Sequence, residues 1–360
     1  MSKTLVTTAL ESTWPKEGTV LFLGSWCCSF SKRAHWASLE SEICPYHWDD
    51  RNKLIKDYDY LECIYERFLV VLAKKLNELH GTNFSDRFWR ILIGPWLYTC
   101  VQVVFDRWFM LKEAIESQEM VQLYALDKDI SCLATNDLDA FNEAIEGDEW
   151  NEALYSVLVE KFFSDQVEIT YVRHQCYRTT TKVKNKAISF KSRLKGFCNT
   201  LSRLFSKDTD VFVIAPHMSF LKQVKLHLKL RQFPVFWFKP MEEYSHQDTF
   251  FDREDISLSY QLNQDLHFEV VLEKMLFFLM PRKYLEGFDY LQRMSKLQGW
   301  PEKPNAIFTS NSYASDEVFK CWAGDKVDGG SRLVIGQHGG NFGMTPMAIQ
   351  EAHQIKIADK

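Results

Sequence analysis

The residues best suited to chemistry fall in residues 332–343, RLVIGQHGGNFG. A short apolar strand there runs into Gln337, His338, Gly339, Gly340 and Asn341. In open α/β sheets ligands bind beyond the carboxyl ends of strands, and this is such an end. A histidine titrates near neutral pH, so His338 suits general acid or base work. Gly339 and Gly340 let backbone amides approach a ligand closely and form a nest for an anion. The alternative is a tight turn whose histidine hydrogen-bonds backbone. The segment is not the Rossmann G-x-G-x-x-G fingerprint, and no P-loop occurs in the chain.

Other strand ends offer further candidates. AIFTSNSYASDEVFKCWAG reads as a strand and then a helix, with Ser310, Asn311 and Ser312 at the junction. Such groups cap a helix, and a helix N-terminus can also hold phosphate. His217, in Pro216-His217-Met218, either lines the same cleft or is structural. Near the start, Thr8 and Trp14 follow one strand and Trp26 follows the next. The two indoles could stack on a sugar or base that Thr8 hydrogen-bonds, or all three could pack the core. In PYHWDDR, Asp49 or Asp50 suits the N-cap of a long helix, and His47 with these two acids is too few ligands for a metal.

The elements that must position these groups alternate. Short β-branched runs at 5–8, 19–24, 122–126, 167–172, 210–215, 235–238, 306–310 and 332–336 read as strands. Several are continuous apolar runs, the pattern of a parallel sheet buried on both faces. Helical periodicity covers 49–80 and 85–117, with a bend expected at Gly94–Pro95. No helix is expected past His353. The result is an α/β chain with a Rossmann-like, mostly parallel sheet and long helical insertions. The longest apolar stretch, 91–105, closes at Asp106 and Arg107. It is shorter than the roughly 20 residues of a membrane span and reads as a buried core helix.

Composition narrows the function classes. The chain has 360 residues, 46% hydrophobic and 25% charged, which excludes wholesale disorder. A net charge of −5 excludes a general polyanion binder. Nine cysteines without a CxxC read as reduced thiols of a cytoplasmic protein, and the N-terminus has no apolar signal region. The charge is uneven: residues 169–207 hold ten Lys or Arg and no acid. Within them Phe190, Leu194, Phe197, Leu201 and Leu204 form one helical stripe, flanked by Lys191, Arg193, Lys195 and Arg203. Residues 182–207 thus read either as a dock on an anionic membrane or as a peripheral helix packed on the core. No nucleic-acid motif accompanies the charge.

Together LVTTALESTWP, LFLGSWC, PYHWDDR, RFWRILIGPWL, IFTSNSYASDEVFKCWAG, IGQHGGNFG and EAHQIKIAD resemble a bacterial family of transferases of O-antigen (lipopolysaccharide) biosynthesis regions, first named from Leptospira. More distantly, strand-Gln-His-Gly resembles the GT-B-like capsule sugar and polyglycerol-phosphate transferases, which have two facing Rossmann-like domains. The resemblance implies a glycosyltransferase, inverting or retaining, that uses a nucleotide-activated sugar and a lipid-linked or polysaccharide acceptor. It would work without a metal or other cofactor, in the cytoplasm or at the inner face of the cytoplasmic membrane. By that analogy His338 is the base, Gln337, Gly339, Gly340, Asn341, Ser310, Asn311 and Ser312 hold the donor phosphates, and Thr8, Trp14, Trp26, His217 and His353 line the substrates. A polyol-phosphate transfer from a cytidine diphosphate donor is the second enzymatic reading, and a non-catalytic assembly component the third. Family members look longer, so an acceptor-side domain is expected over 1–330, with the basic segment at 173–207. The start of a truncated donor-side domain is expected over 331–360.

Overall fold

The computed structural model describes residues 3–118, 120–172, 205–237, 250–258, 267–337, 339, 342–345 and 347–359. His338, Gly340, Asn341 and the stripe from Phe190 to Leu204 lie outside the described residues. The chain divides into two compact units. One comprises Met1–Val71, Trp96–Tyr177 and Phe251–Arg282; the other comprises Leu72–Pro95, Arg178–Phe250 and Lys283–Lys360.

The first unit is built on five parallel strands in the order β3-β2-β1-β4-β5. They are β1 (Lys3–Val6), β2 (Thr19–Phe22), β3 (Glu40–Ile43), β4 (Val121–Leu126) and β5 (Val167–Val172). Leu5 sits opposite Leu21 on one side and Leu123 on the other. These side chains are buried, as apolar runs in a parallel sheet require. The chain walks outward from β1 to β3 and returns to β4 on the opposite side of β1, the Rossmann-like reversal. β3, ESEI, was not expected as a strand. It is an exposed edge whose pairing with β2 comes from the backbone, Thr19 opposite Glu40, with no apolar pattern to betray it.

The long helices are α1 (Arg51–His80), α2 (Asp86–Glu116), α3 (Leu138–Ala144), α4 (Asp148–Phe162), α5 (Phe220–Lys229), α6 (His267–Leu279), α7 (Phe288–Leu297), α8 (Glu317–Asp328) and α9 (Ile349–Ile357). Asp50 starts α1 by accepting the Asn52 and Lys53 amides at 2.8 and 3.3 Å. Gly81, at φ 62°, ends it. α2 continues through Pro95. Its apolar stretch makes it long and apolar enough to cross a membrane by composition, but 78% of that window is buried within the protein. Arg67 of α1 meets the buried carboxylate of Glu269 in α6 at 2.6 Å.

The second unit carries three parallel strands in the order β6-β7-β8: β6 (Phe212–Ile214), β7 (Ala306–Thr309) and β8 (Arg332–Ile335). The strand expected at 235–238 is represented by a single bridge from Trp237 to Ile214, and Phe238 lies outside the described residues. Phe212 packs against Trp322, Trp237 and Trp300, with ring centroids 4.5, 5.2 and 5.2 Å away. The chain remains helical beyond His353, to Ile357, where no helix was expected. Asp359 then lies beside β8: its amide donates to Leu333 O at 2.8 Å and its carboxylate accepts the Leu333 amide at 2.6 Å. Arg87 binds both oxygens of that carboxylate at 3.1 and 2.8 Å, so the IAD ending secures β8 to the start of α2. The expected boundary at 330 and 331 falls inside this unit.

α8 approaches α2 closely through Gly324. A Cβ there would lie 2.7 Å from Cδ2 of Phe88, which is fully buried and stacked on Phe84 at 3.8 Å. Gly324→Ala is therefore expected to overpack the second unit and cost about 1–3 kcal/mol, read as a lower urea midpoint with unchanged slope.

Candidate functional site

The backbone leaving β1 is buried and irregular, so its carbonyls need partners. The Leu23 amide donates to Val6 O at 2.9 Å, and side chains supply the rest. Cys27 Sγ donates to Val6 O at 3.3 Å, Trp26 Nε1 to Thr7 O at 2.9 Å, and Trp14 Nε1 to Thr8 O at 3.1 Å. Lys32 Nζ donates to Ala9 O. From α4, Glu152 accepts the hydroxyls of Thr7 at 2.6 Å and Thr8 at 3.4 Å, and Asp148 accepts the Ala9 amide at 3.3 Å. Burial raises the Glu152 pKa, against the hydrogen bonds from Thr7, Ser156 and Thr8.

A second network joins β3 to α2. Tyr46 donates to Asp106 Oδ1 at 2.9 Å, and Arg107 donates to Asp106 Oδ2. Lys53 Nζ donates to His47 Nδ1 at 3.1 Å, which leaves the ring proton on Nε2 to donate to Asp106 Oδ1 at 3.0 Å. His47 also stacks on Phe109, 4.8 Å between centroids. Burial alone would raise the Asp106 carboxyl. The bond from His47, the charge of Arg107 and the bonds from Tyr46 and Arg107 outweigh it and hold the pKa below the ordinary 3.8. Burial and the neighbouring Asp106 carboxylate push the Tyr46 phenol up, so it stays a donor.

These two networks border an open cavity of about 390 Å³. Thr8, Ser25 and Trp26 line it beyond β1 and β2, Tyr46 and Asp49 beyond β3, and Asp106 and Arg107 from α2; Asp148, Asn151 and Tyr155 come from α4. Its volume is that of a small-molecule site. Arg107 Nε donates to Asn151 Oδ1 at 3.1 Å and Nη1 to Asp106. Neither bond uses Nη2. Trp26 is about one-third exposed and meets Tyr46 edge-on at 6.1 Å. Its ring lies on Gly24, where a Cβ would come within 2.1 Å of it. The lining therefore combines an aromatic face, hydroxyls, an amide, carboxylates and one guanidinium. Such a set binds a small polyhydroxylated molecule through oriented hydrogen bonds and one apolar face.

The candidates read from sequence separate between the two units. Thr8 and Trp26 line the cavity together. Trp14 is buried against Phe22, its indole committed to the β1 end. His217, Ser310, Asn311, Ser312, Gln337 and Gly339 follow the carboxyl ends of β6, β7 and β8. There the Ser310 amide donates to Ala215 O at 3.1 Å, and the Gly336 amide to Thr309 O at 2.9 Å. Ala215 and His217 adopt φ of 44° and 47°, a strained turn of the kind that marks functional edges. Ser310 and Ser312 are buried, whereas Asn311, His217, Gln337 and Gly339 are exposed. His353 is buried, its ring roughly parallel to Tyr313, and desolvation followed by the charge of Lys320 depresses its pKa to about 3.

Sequence reasoning missed Tyr46, Asp106, Arg107, Asp148, Asn151 and Tyr155 as cavity residues. One signal was present: Asp106 and Arg107 are adjacent charges at the end of an apolar helical run, and buried charges need a reason. Among the described residues no group of three His, Cys, Asp or Glu side chains is placed to hold a metal ion. Of the four Asp-x-Asp triplets, those at 57–59 and 137–139 lie at or within helices, 127–129 follows β4 in a loop, and 208–210 forms the turn before β6. Asp57 binds Lys53 and Trp48, and Asp137 caps α3.

A parallel sheet reversing at β1, with a polar cavity at its carboxyl edge, places the chain among Rossmann-like α/β proteins. The chain belongs to the LIC12162 family of transferases, whose family model matches residues 3–360. No curated protein and no solved structure matches it.

The Asp106 carboxyl titrates lower in the folded than in the unfolded chain. Its stabilising contribution is thus complete above the ordinary carboxylate pKa and lost as pH falls through the native value. Asp106→Asn is expected to cost about 3 kcal/mol near neutral pH, by leaving Arg107 uncompensated. In urea unfolding the gap between wild type and variant should narrow steadily below about pH 4; a pH-independent gap would contradict the ion-pair account.

Proposed function

We propose that this transferase moves a sugar from a nucleotide-activated donor to a hydroxyl of a lipid-linked or polysaccharide acceptor, in the O-antigen class of surface polymers. The observation that carries the reading is the cavity at the carboxyl edge of the first sheet. Its partly exposed indole, carboxylates and amide match the apolar face and hydroxyl rim of a sugar ring. In this reading the first unit holds the acceptor, with Trp26 against the ring and Asp49, Asp148 and Asn151 on its hydroxyls. Arg107, fixed by Asp106 and Asn151, offers its remaining N–H groups to an acceptor oxygen.

The second unit holds the donor, as in GT-B-like enzymes. Gln337, Gly339, Gly340 and Asn341, with Ser310, Asn311 and Ser312, surround the diphosphate, and His217 stands at the neighbouring strand end. His338 accepts the acceptor hydroxyl proton while the new bond to the anomeric carbon forms. The bond from that carbon to the phosphate oxygen breaks, and the nucleoside diphosphate leaves with the electron pair. Backbone amides at the glycines stabilise the growing negative charge. The chemistry calls for no metal in this scheme. The protein works at the cytoplasmic membrane face, with residues 182–207 near anionic lipid.

Two variants test the assignment by different readouts. Trp26→Ala is expected to raise the acceptor KM about tenfold with a smaller change in kcat, since it removes ring contact. His338→Ala is expected to lower kcat by about a hundredfold or more at unchanged KM. Mass analysis of the product reports the group moved. A product that gains phosphate would replace sugar transfer by polyol-phosphate transfer, and full turnover by His338→Ala would remove the proposed base.

A further inference from the structure

α5 presents to solvent a face that its own packing does not use. Its inner side is well anchored. His227 is buried and accepts from Gln232 Nε2 at 2.8 Å. Gln232 also pairs with the backbone of Val211, at 2.9 Å to the amide and 2.8 Å to the carbonyl, like a neighbouring strand. Phe220 stacks on Phe236 at 4.9 Å.

The outer side has a different character. Phe220, Leu221 and Leu228 are 64%, 70% and 62% exposed. Leu230 and Phe233 follow, also exposed, and Phe205 stacks on Phe233 at 5.2 Å while itself open to solvent. Leu221, Lys225 and Leu228 repeat at four and three, so they share one helical face; Lys222 and Lys229 flank it. Surface leucines normally occur singly, and several exposed large apolar side chains on and beside one helix mark a contact surface. Charge identifies the contact. From Phe205 to Trp237 the chain has five Lys or Arg against two acids, Asp208 and Asp210, and the three lysines of α5 are all exposed. Leucine and phenylalanine ringed by lysines suit a bilayer interface, where apolar tips enter the headgroup boundary and ammonium groups meet lipid phosphate.

We propose that the outward face of α5, with Leu230, Phe233 and Phe205, docks the second unit on an anionic lipid bilayer. Apart from Phe205 this surface lies outside residues 182–207, and it does not rest on the identity of the transferred group. The test is flotation of the full chain with phosphatidylcholine vesicles, with and without phosphatidylglycerol. Wild type is expected to float with the anionic vesicles. The double variant Leu221→Ser, Leu228→Ser and the triple variant Lys222→Gln, Lys225→Gln, Lys229→Gln should each lower the bound fraction at least about tenfold. All these side chains are exposed, so circular dichroism and melting should match wild type, and transfer to a soluble acceptor should be unchanged. A third variant with the lysines and arginines of 182–207 neutralised separates the two surfaces. The proposal is overturned if wild type ignores anionic vesicles, or if only that third variant loses binding. It is also overturned if the α5 variants change the sedimentation of the protein instead, which would make the face a protein interface.

Discussion

The first unit depends on how one stretch of backbone is satisfied where β1 leaves its sheet. Carbonyls from Val6 to Ala9 pass through a buried region with no neighbouring strand to receive them all. An unpaired buried carbonyl costs about 1–3 kcal/mol, so the three beyond Val6, whose own carbonyl takes the Leu23 amide, would consume much of a typical folding free energy. The chain answers with donors from loops beyond β1 and β2: a thiol, two indoles and an ammonium group. Each donor is also large or buried, and this draws the Trp14 and Trp26 loops onto the strand end. The cavity rim is thus a by-product of backbone satisfaction, positioned as firmly as the sheet itself.

The same logic explains how a cavity with several acids can exist beside an apolar core. Asp106 is buried in α2 between buried Phe105 and partly exposed Arg107. It is tolerable there because His47, Tyr46 and Arg107 all donate to it. His47 is in turn oriented by Lys53, and Lys53 lies over the Phe109 ring, 3.7 Å from its centroid. One ion pair therefore fixes the direction of Arg107 and Tyr46 from the protein side and leaves their outer atoms for a ligand. Rigid presentation of a few polar groups is what lets a site of this size discriminate among hydroxylated molecules.

What the sequence showed and what it hid follow from the same physics. The central strands β1, β2 and β4 are buried and largely apolar, and β5 is β-branched though it forms an exposed edge, so all four could be read within a residue or two. β3 could not, because Glu40, Ser41 and Glu42 form an exposed edge held by backbone pairing and an ion pair from Lys3 to Glu42, with no apolar pattern. The tryptophans of the N-terminal motifs were recognisable as special. Their role was ambiguous, since an indole able to stack on a sugar is equally able to donate one hydrogen bond to a carbonyl. Trp14 does the second only, whereas Trp26 does it and still shows a face to the cavity. Residues such as Asp106, Asn151 and Tyr155 carry no local pattern, because only the tertiary fold brings α2 and α4 to the same strand end.

The glycines at the strand ends close the argument. Gly24, just past β2, is extended and not left-handed, so its value does not lie in backbone freedom. It lies in the missing Cβ, whose place is taken by the ring of Trp26. Gly336, just past β8, works in the same way: a Cβ there would come within 2.8 Å of both Phe308 and the Ser310 hydroxyl of the adjacent strand. In each unit a side chain from the strand end closes over bare backbone at the carboxyl edge of a parallel sheet. At each of these places the fold brings backbone close to an aromatic ring, and beyond β8 to a hydroxyl as well. Gly24 and Gly336 thus serve close approach rather than backbone freedom: a larger residue would press on Trp26 in the first unit, and on Phe308 and Ser310 in the second.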